Sequence, residues 1–338
     1  METITLGKTG LCVTKTSFGA LPIQRISREE AVKLVRRAVD GGINYFDTAN
    51  AYTDSEEKLG EALEGVRQKV VISTKSAGKD KKTVLSHIEQ SLRSLRTDYI
   101  DLFQFHNPSV LPDPADPDGP YAAALEMKEK GYIRHIGITN HRLGVAREAI
   151  ASGNFETLQF PFCYLASEQD FDLVARCKAA DMGFIAMKGL SGGLLNNAQA
   201  CCAFMNQYDN VVPIWGIQHE WELDQWLALA EKAPRMTPEL QAVIDHDRQE
   251  LAGNFCRSCG YCLLRCRDRY PSGRPHERPA APVSLPEVHE RRVVRQNAQG
   301  GRVHPLQRLQ VPLPLRSGHP GTAAADAEGL RRILRRSP

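Results

Sequence analysis

"INYFDTANAY", residues 43–52, starts as a strand and ends as something else. Ile43, Tyr45 and Phe46 favour extended, half-buried backbone. Asp47 then breaks the apolar run, small residues follow, and Tyr52 closes the stretch. A polar residue where a core strand ends and a loop begins is what a parallel α/β fold places at its working edge. The question is whether other strands end in the same way.

Seven more short runs rich in Val, Ile, Phe or Tyr lie along the chain: TSFGAL (16–21), KVVIST (69–74), YIDLFQF (99–105), HIGIT (135–139), TLQFPF (157–162), GFIAM (183–187) and VVPIW (211–215). Helical patterns separate them. Ser27 and Glu30 form a capping box, in which each side chain satisfies a free backbone N–H. Ala31, Leu34, Val35 and Ala38 follow at one-face spacing, and Gly41-Gly42 ends the helix. Val84, Ile88, Leu92 and Leu95 mark a second inward face, with similar patterns at 121–131, 142–151, 168–180 and 220–231. Strand and helix in alternation imply parallel strands with helical crossovers. Eight units predict an α/β (β/α)₈ TIM barrel over residues 1–235, with a turn at GKTG (7–10) before the first run. A doubly wound open sheet is the alternative. A Rossmann reading is weak, since no G-x-G-x-x-G follows the first strand.

Composition narrows the function. The chain has 338 residues, 42% of them hydrophobic, enough for a sizeable core. It has no apolar run long enough for a membrane span, and its first residues lack a signal-peptide core, so a cytoplasmic protein is expected. The net charge of +3 is divided unevenly. Residues 1–266 carry 29 Lys and Arg against 34 acidic residues, a balance of −5, which gives no reason to expect nucleic-acid binding. Residues 267–338 carry 14 Arg and no Lys against 6 acidic residues, a balance of +8.

The strand ends carry the chemistry. Asp47 ends the second run, with Tyr52 in its loop; Lys75 follows the third, His106 the fourth, Thr139-Asn140 the fifth, and Gln159 lies in the sixth. Alone, a strand-end Asp reads as a loop cap, and a lone Lys or His as a solvated or structural residue. Together they make a proton-delivery device. A phenol is a poor acid near neutral pH, but an adjacent ammonium favours phenolate. An aspartate can hold the ammonium, and an imidazole can orient a substrate oxygen. That set suits carbonyl reduction, in which a hydride reaches carbon while a proton reaches oxygen.

"LGKTGLCVTKTSFGA", "GGINYFDTANAY", "VVISTKS", "DLFQFHN", "GYIRHIGITNH" and "LQFPFCYL" resemble an aldo-keto reductase over about residues 4–266. The resemblance implies a catalytic tetrad of Asp47, Tyr52, Lys75 and His106. It also implies NADP(H), with NAD(H) as the alternative, bound across the barrel mouth, and a small carbonyl or alcohol as substrate. Thr139, Asn140 and Gln159 match the nicotinamide contacts. "AMKGLSGGLL" (186–195) resembles the loop along the pyrophosphate, implying Lys188, Gly189, Leu190 and Gly192. "VPIWGIQHEWELDQW" resembles the adenosine-phosphate segment, implying Gly216 and Gln218; His219 is the one basic residue there. The loop at 107–121 reads as a surface loop or as a lid wall.

"FCRSCGYCLLRC" spaces Cys256, Cys259, Cys262 and Cys266 as C-x₂-C-x₂-C-x₃-C. Such spacing converges thiolates on a [4Fe–4S] cluster; tetrahedral zinc is the alternative. One subgroup of the family carries a comparable motif, which implies an iron–sulfur reductase and a redox partner. Residues 236–266 are therefore expected to hold a C-terminal helix and this motif. Here Arg267 follows Cys266 where Pro is usual. Residues 267–338 contain 10 of the 20 Pro, and no Phe or Trp, so this Arg/Pro-rich tail is expected to be disordered, or to come from a shifted reading frame starting near residue 263. Two other functions compete with the enzyme: an iron–sulfur electron-transfer or redox-sensing protein, and a nucleotide-binding regulatory subunit.

Overall fold

The computed structural model describes residues 1–251. The cysteine set and the tail lie outside the described residues. The chain opens with β1 (Thr3–Thr5) and β2 (Cys12–Thr14), an antiparallel hairpin whose turn uses Gly7 and Gly10 at φ of +52° and +69°. Gly7 has a second reason to be glycine: a Cβ there would lie 2.4 Å from the Gly183 backbone nitrogen. Leu6 and Val13 join the interior cluster of Tyr45, Leu102, Ile185, Val212 and Ile214. The hairpin thus seals the N-terminal end of a barrel.

That barrel contains β3 (Ser17–Gly19), β4 (Tyr45–Asp47), β5 (Val71–Ser76), β6 (Ile100–His106), β7 (Ile133–Thr139), β8 (Thr157–Pro161), β9 (Gly183–Met187) and β10 (Val211–Gly216). All neighbours are parallel, and β10 pairs with β3 to close the ring. The open-sheet alternative is thereby excluded. Each of the eight runs read from the sequence overlaps one of these strands. Register carries the polar strand ends to a common level. Asp47 lies opposite Ser73, Lys75 opposite Gln104, and His106 opposite Thr139, which in turn faces Gln159.

One helix follows each strand: α1 (Arg28–Asp40), α2 (Ser55–Ala62), α3 (Lys81–Ser94), α4 (Pro120–Glu129), α5 (Leu143–Ser152), α6 (Glu168–Ala179), α7 (Ala198–Met205) and α8 (Glu220–Glu231), with α9 (Pro238–Glu250) appended. The Ser27–Glu30 capping box forms, and Ala31, Leu34, Val35 and Ala38 are buried. Leu34 and Val35 together contribute about 3–6 kcal/mol of burial. Helix α9 buries Leu240 and Ile244 and is tied to the segment after β8: Arg248 Nε donates to Tyr164 O at 2.7 Å, and the Tyr164 hydroxyl donates to Asp247. No helix among the described residues is long and apolar enough to cross a membrane.

Candidate active site

The end of the barrel where its strands finish is polar because the strands end in polar residues that point inward. Asp47, Ser73, Lys75, Gln104, Thr139 and Gln159 are all buried. A barrel interior is usually filled with branched apolar side chains. Most of their polar atoms are paired within the set or to backbone, though Gln104 Oε1 has no partner among the described residues.

The Lys75 ammonium donates to Asp47 Oδ2 at 2.6 Å and to the Thr48 carbonyl at 2.6 Å. An ammonium has three hydrogens. Among the described residues the third has no partner, and the Tyr52 ring centroid lies 5.3 Å from Nζ. Tyr52 packs edge-on against His106, with ring centroids 5.8 Å apart. The four residues expected to form a tetrad are therefore one cluster.

Tyr52 is placed by the turn after β4. Its N–H bonds to Ala49 O, and its carbonyl accepts from Ser55 N at 2.8 Å. Ser55 Oγ donates to Ala20 O, so the start of α2 is pinned to the neighbouring βα loop. Buried Lys58 extends this tie with bonds to Ile23 O at 3.0 Å, Ile26 O at 2.7 Å and Asp54 at 2.9 Å. The loop carrying the phenol is thus docked on the loop after β3.

Electrostatics assign protonation states. Burial pushes the Tyr52 phenol above its ordinary value; Lys75 pulls it down and Asp47 pushes it up. The sequence reading anticipated the pull of the ammonium. In the described structure desolvation outweighs it, so Tyr52 is a protonated phenol at neutral pH. Burial first, then Lys75 and His141, lower His106 to about 4. His106 is therefore a neutral imidazole that can donate a hydrogen bond without adding charge.

The other side of the rim is organised differently. Gln159 Oε1 accepts from Gln104 Nε2 at 2.8 Å. Asn140 is largely committed to backbone. Its Nδ2 donates to Pro108 O at 2.8 Å, and its Oδ1 accepts from His141 N and Arg142 N, both at 2.9 Å. One amide hydrogen has no partner among the described residues. After β9, Lys188, Ser191, Gly192 and Gly193 all have positive φ, from 50° to 97°. A turn of this kind directs successive N–H groups to one side, a concavity suited to anions. A Cβ at Gly189 would lie 2.5 Å from the Trp215 ring, so glycine lets this turn close onto β10. Gly216 and Gln218 lead into α8, where Glu222 accepts from Gln218 N at 2.7 Å and His219 N at 2.9 Å.

Three buried polar residues were missed from sequence. Tyr45, Ser73 and Gln104 surround Asp47 from below. Period-two alternation carried the signal, since it turns Ser73 inward with Lys75, and Gln104 inward with His106. Among the described residues no cluster of His, Cys, Asp or Glu is arranged to hold a metal.

The sequence profile of the aldo/keto reductase family matches residues 14–233. The chain belongs to the aldo/keto reductase family. It is 28% identical to the aldo-keto reductase YhdN of Bacillus subtilis, over 58% of this chain and 64% of that protein. It is 29% identical to the L-galactose dehydrogenase of Arabidopsis thaliana, over 58% of this chain and 67% of that one. A match to the oxidoreductase YqkF of B. subtilis spans 55% of that protein's length. Among solved structures, the holo form of the aldo-keto reductase AKR11C1 from Bacillus halodurans superposes with a TM-score of 0.63 at 22% identity, covering 73% of this chain and 96% of that one. An aldo-keto reductase from Klebsiella pneumoniae in complex with NADPH gives 0.62 at 22%, covering 72% and 94%. At such identity the likeness establishes the barrel.

Proposed function

We propose that this aldo/keto reductase reduces an aldehyde or ketone to an alcohol with NADP(H), using Tyr52, Lys75, Asp47 and His106. The observation that carries the reading is the Lys75 ammonium, buried and held at 2.6 Å by Asp47, with the Tyr52 ring centroid 5.3 Å from its nitrogen. Bound at the mouth, the cofactor would supply a hydride to the carbonyl carbon. Everything else falls to this chain. Tyr52 gives its proton to the developing alkoxide, and Lys75 stabilises the phenolate left behind. Asp47 keeps Lys75 charged and aimed. Neutral His106 donates a hydrogen bond to the carbonyl oxygen and fixes its orientation. Thr139, Asn140 and Gln159 would hold the carboxamide. The turn of Lys188, Gly189, Leu190 and Gly192, together with Gly216 and Gln218, would hold the phosphate-bearing remainder.

The first test is titration of the full chain with NADPH, followed by nicotinamide fluorescence, and then turnover against a panel of carbonyl compounds. Saturable binding with turnover is expected; absence of both defeats the reading. The alternative coenzyme NAD(H) is compared in the same titration. Cys256, Cys259, Cys262 and Cys266 enter the proposal by spacing alone, as ligands of a [4Fe–4S] cluster. Iron and sulfide analysis of anaerobically purified protein checks this, and stoichiometric zinc or no metal would reject it.

A further inference from the structure

Beneath the Asp47–Lys75 pair a second hydroxyl chain runs deeper into the barrel. The Tyr45 hydroxyl donates to Ser73 Oγ at 3.0 Å, and Ser73 Oγ donates to Asp47 Oδ1 at 2.6 Å. Tyr45 and Ser73 are fully buried, and Asp47 nearly so. The chain has one direction. Ser73 has a single hydrogen, and Asp47, as the carboxylate, can only accept. Tyr45 ends it among Leu102, Ile185 and Val212, so the chain reaches no solvent and is no route for protons.

Asp47 depends on this chain for its orientation. The amides of Gln104 and Gln159 approach it at 3.4 and 3.5 Å, beyond the usual range for such bonds. Among the described residues, Lys75 on Oδ2 and Ser73 on Oδ1 are its two short donors. One short bond would leave the carboxylate free to turn about its own axis; two on different oxygens fix it.

We propose that Ser73, backed by Tyr45, is a positioning residue for the acid–base centre: it holds Asp47 with one oxygen toward Lys75 and so sets how much of the Lys75 charge is felt at Tyr52. This rests on reading Tyr52 as the proton donor. Without the Ser73 hydroxyl the negative charge of Asp47 is no longer shared between two donors. It concentrates on Lys75, draws the ammonium down, and weakens its pull on the phenol. The charged and titratable groups facing this centre are Lys75 and Asp47 directly, His106 from β6, Glu56 from α2 through Lys75, and His141 through His106. Among the described residues the nearest other donor to Oδ1 is the Gln104 amide, at 3.4 Å. A residue that merely fills the barrel would alter stability and leave the Tyr52 titration where it was.

The test compares Ser73→Ala and Tyr45→Phe with the wild type. In the protein without cofactor, the ultraviolet phenolate signal of Tyr52 is isolated by subtracting the matching Tyr52→Phe protein. The midpoint should rise by roughly half a unit to one unit in Ser73→Ala, and by less in Tyr45→Phe. With NADPH and 4-nitrobenzaldehyde, kcat should fall about tenfold in Ser73→Ala, the scale of a hydrogen bond to a charged group, while KM for NADPH stays put. Ser73→Thr, which keeps the hydroxyl, should restore kcat. Unchanged midpoints in both variants overturn the proposal. If Ser73→Ala does not fold, the nearly isosteric Tyr45→Phe decides alone. If the wild type shows no turnover, the reductase reading fails and the titration still decides this one.

Discussion

The barrel buries two lysine- or arginine-to-aspartate pairs of the same length, and they differ in what lies beside them. In the first, Lys75 meets Asp47 at 2.6 Å; in the second, Arg67 meets Asp101 at 2.6 Å. Arg67 also donates to Thr97, Val70 O and Tyr99 O, and its guanidinium lies 4.1 Å from the Tyr99 ring centroid. Asp101 further accepts from Ile72 N and Arg134. That pair is spent on joining the start of β5 to β6. The Lys75 pair sits beside a phenol and an imidazole. A buried charge pair gives little net stability by itself. One tied to backbone carbonyls reads as a joint, and one beside a phenol and an imidazole reads as chemistry.

The largest test of this contrast removes the phenol. Tyr52→Phe keeps the ring and its packing against His106. Carbonyl reduction should fall about 10²–10⁴-fold, the usual share of a positioned acid. NADPH affinity measured by fluorescence and the melting temperature should hardly move. Near-normal turnover would detach the Lys75 pair from any chemistry.

The converse test breaks the joint. Arg67→Met leaves Asp101 buried with Arg134 as its remaining cation. The cost should be about 3 kcal/mol, the lower end for stranding a buried charge, because Arg134 still reaches it at 3.2 Å. Urea unfolding measures it, and kcat of the folded fraction should stay within twofold by the same separation of roles. A catalytic defect as large as the stability defect would show that the two pairs are not independent.

The sequence showed the Lys75 side of this contrast better than the Arg67 side. Lys75 and His106 stand at the ends of recognisable apolar runs, where a parallel barrel displays its working groups. Arg67 and Asp101 carry no such mark, because their partners are mostly backbone carbonyls and N–H groups that a sequence does not display. Helices followed the same logic. Helix α1 was legible from its cap and stripe. Helix α2 was not, because Ser55, Glu56 and Lys58 are buried polar residues that erase the stripe. Helix α7 was missed for the opposite reason: nearly all of its residues are apolar and buried, so no polar face supplies a period. The commitment of Asn140 to Pro108 O depends on where the loop after β6 passes, which spacing alone does not carry.

Acid provides a third test. His106 is held near 4 against an ordinary value of 6.5, so the unfolded chain binds its proton first. Stability contributed by neutral His106 is fully present above pH 6.5 and is lost as pH falls toward 4. The loss is on the order of 3 kcal/mol at most, at about 1.4 kcal/mol per unit of difference. His106→Gln should flatten that part of the stability curve, measured by urea unfolding at neutral and mildly acid pH. In the wild type, kcat should show no imidazole inflection between pH 5 and 7. An inflection there would mean that His106 titrates and enters the reaction charged.

The smallest test asks how far the phenol's platform can be loosened before chemistry notices. Ser27 caps α1, accepting from Glu30 N while Glu30 bonds back to the Ser27 N–H. Ile26, one residue earlier, offers the carbonyl that anchors Lys58, and Lys58 lies on the helix that follows Tyr52. Ser27→Ala removes one cap bond and should cost about 1 kcal/mol of stability. If the Lys58 anchors at Ile23 O and Ile26 O hold the loop by themselves, kcat stays unchanged and the loss appears in the melting temperature alone. If kcat falls as well, and Lys58→Met reproduces the fall, then the cap, the anchor and the phenol form one mechanical unit. The line between joint and chemistry would then run through α1 rather than between the two buried pairs.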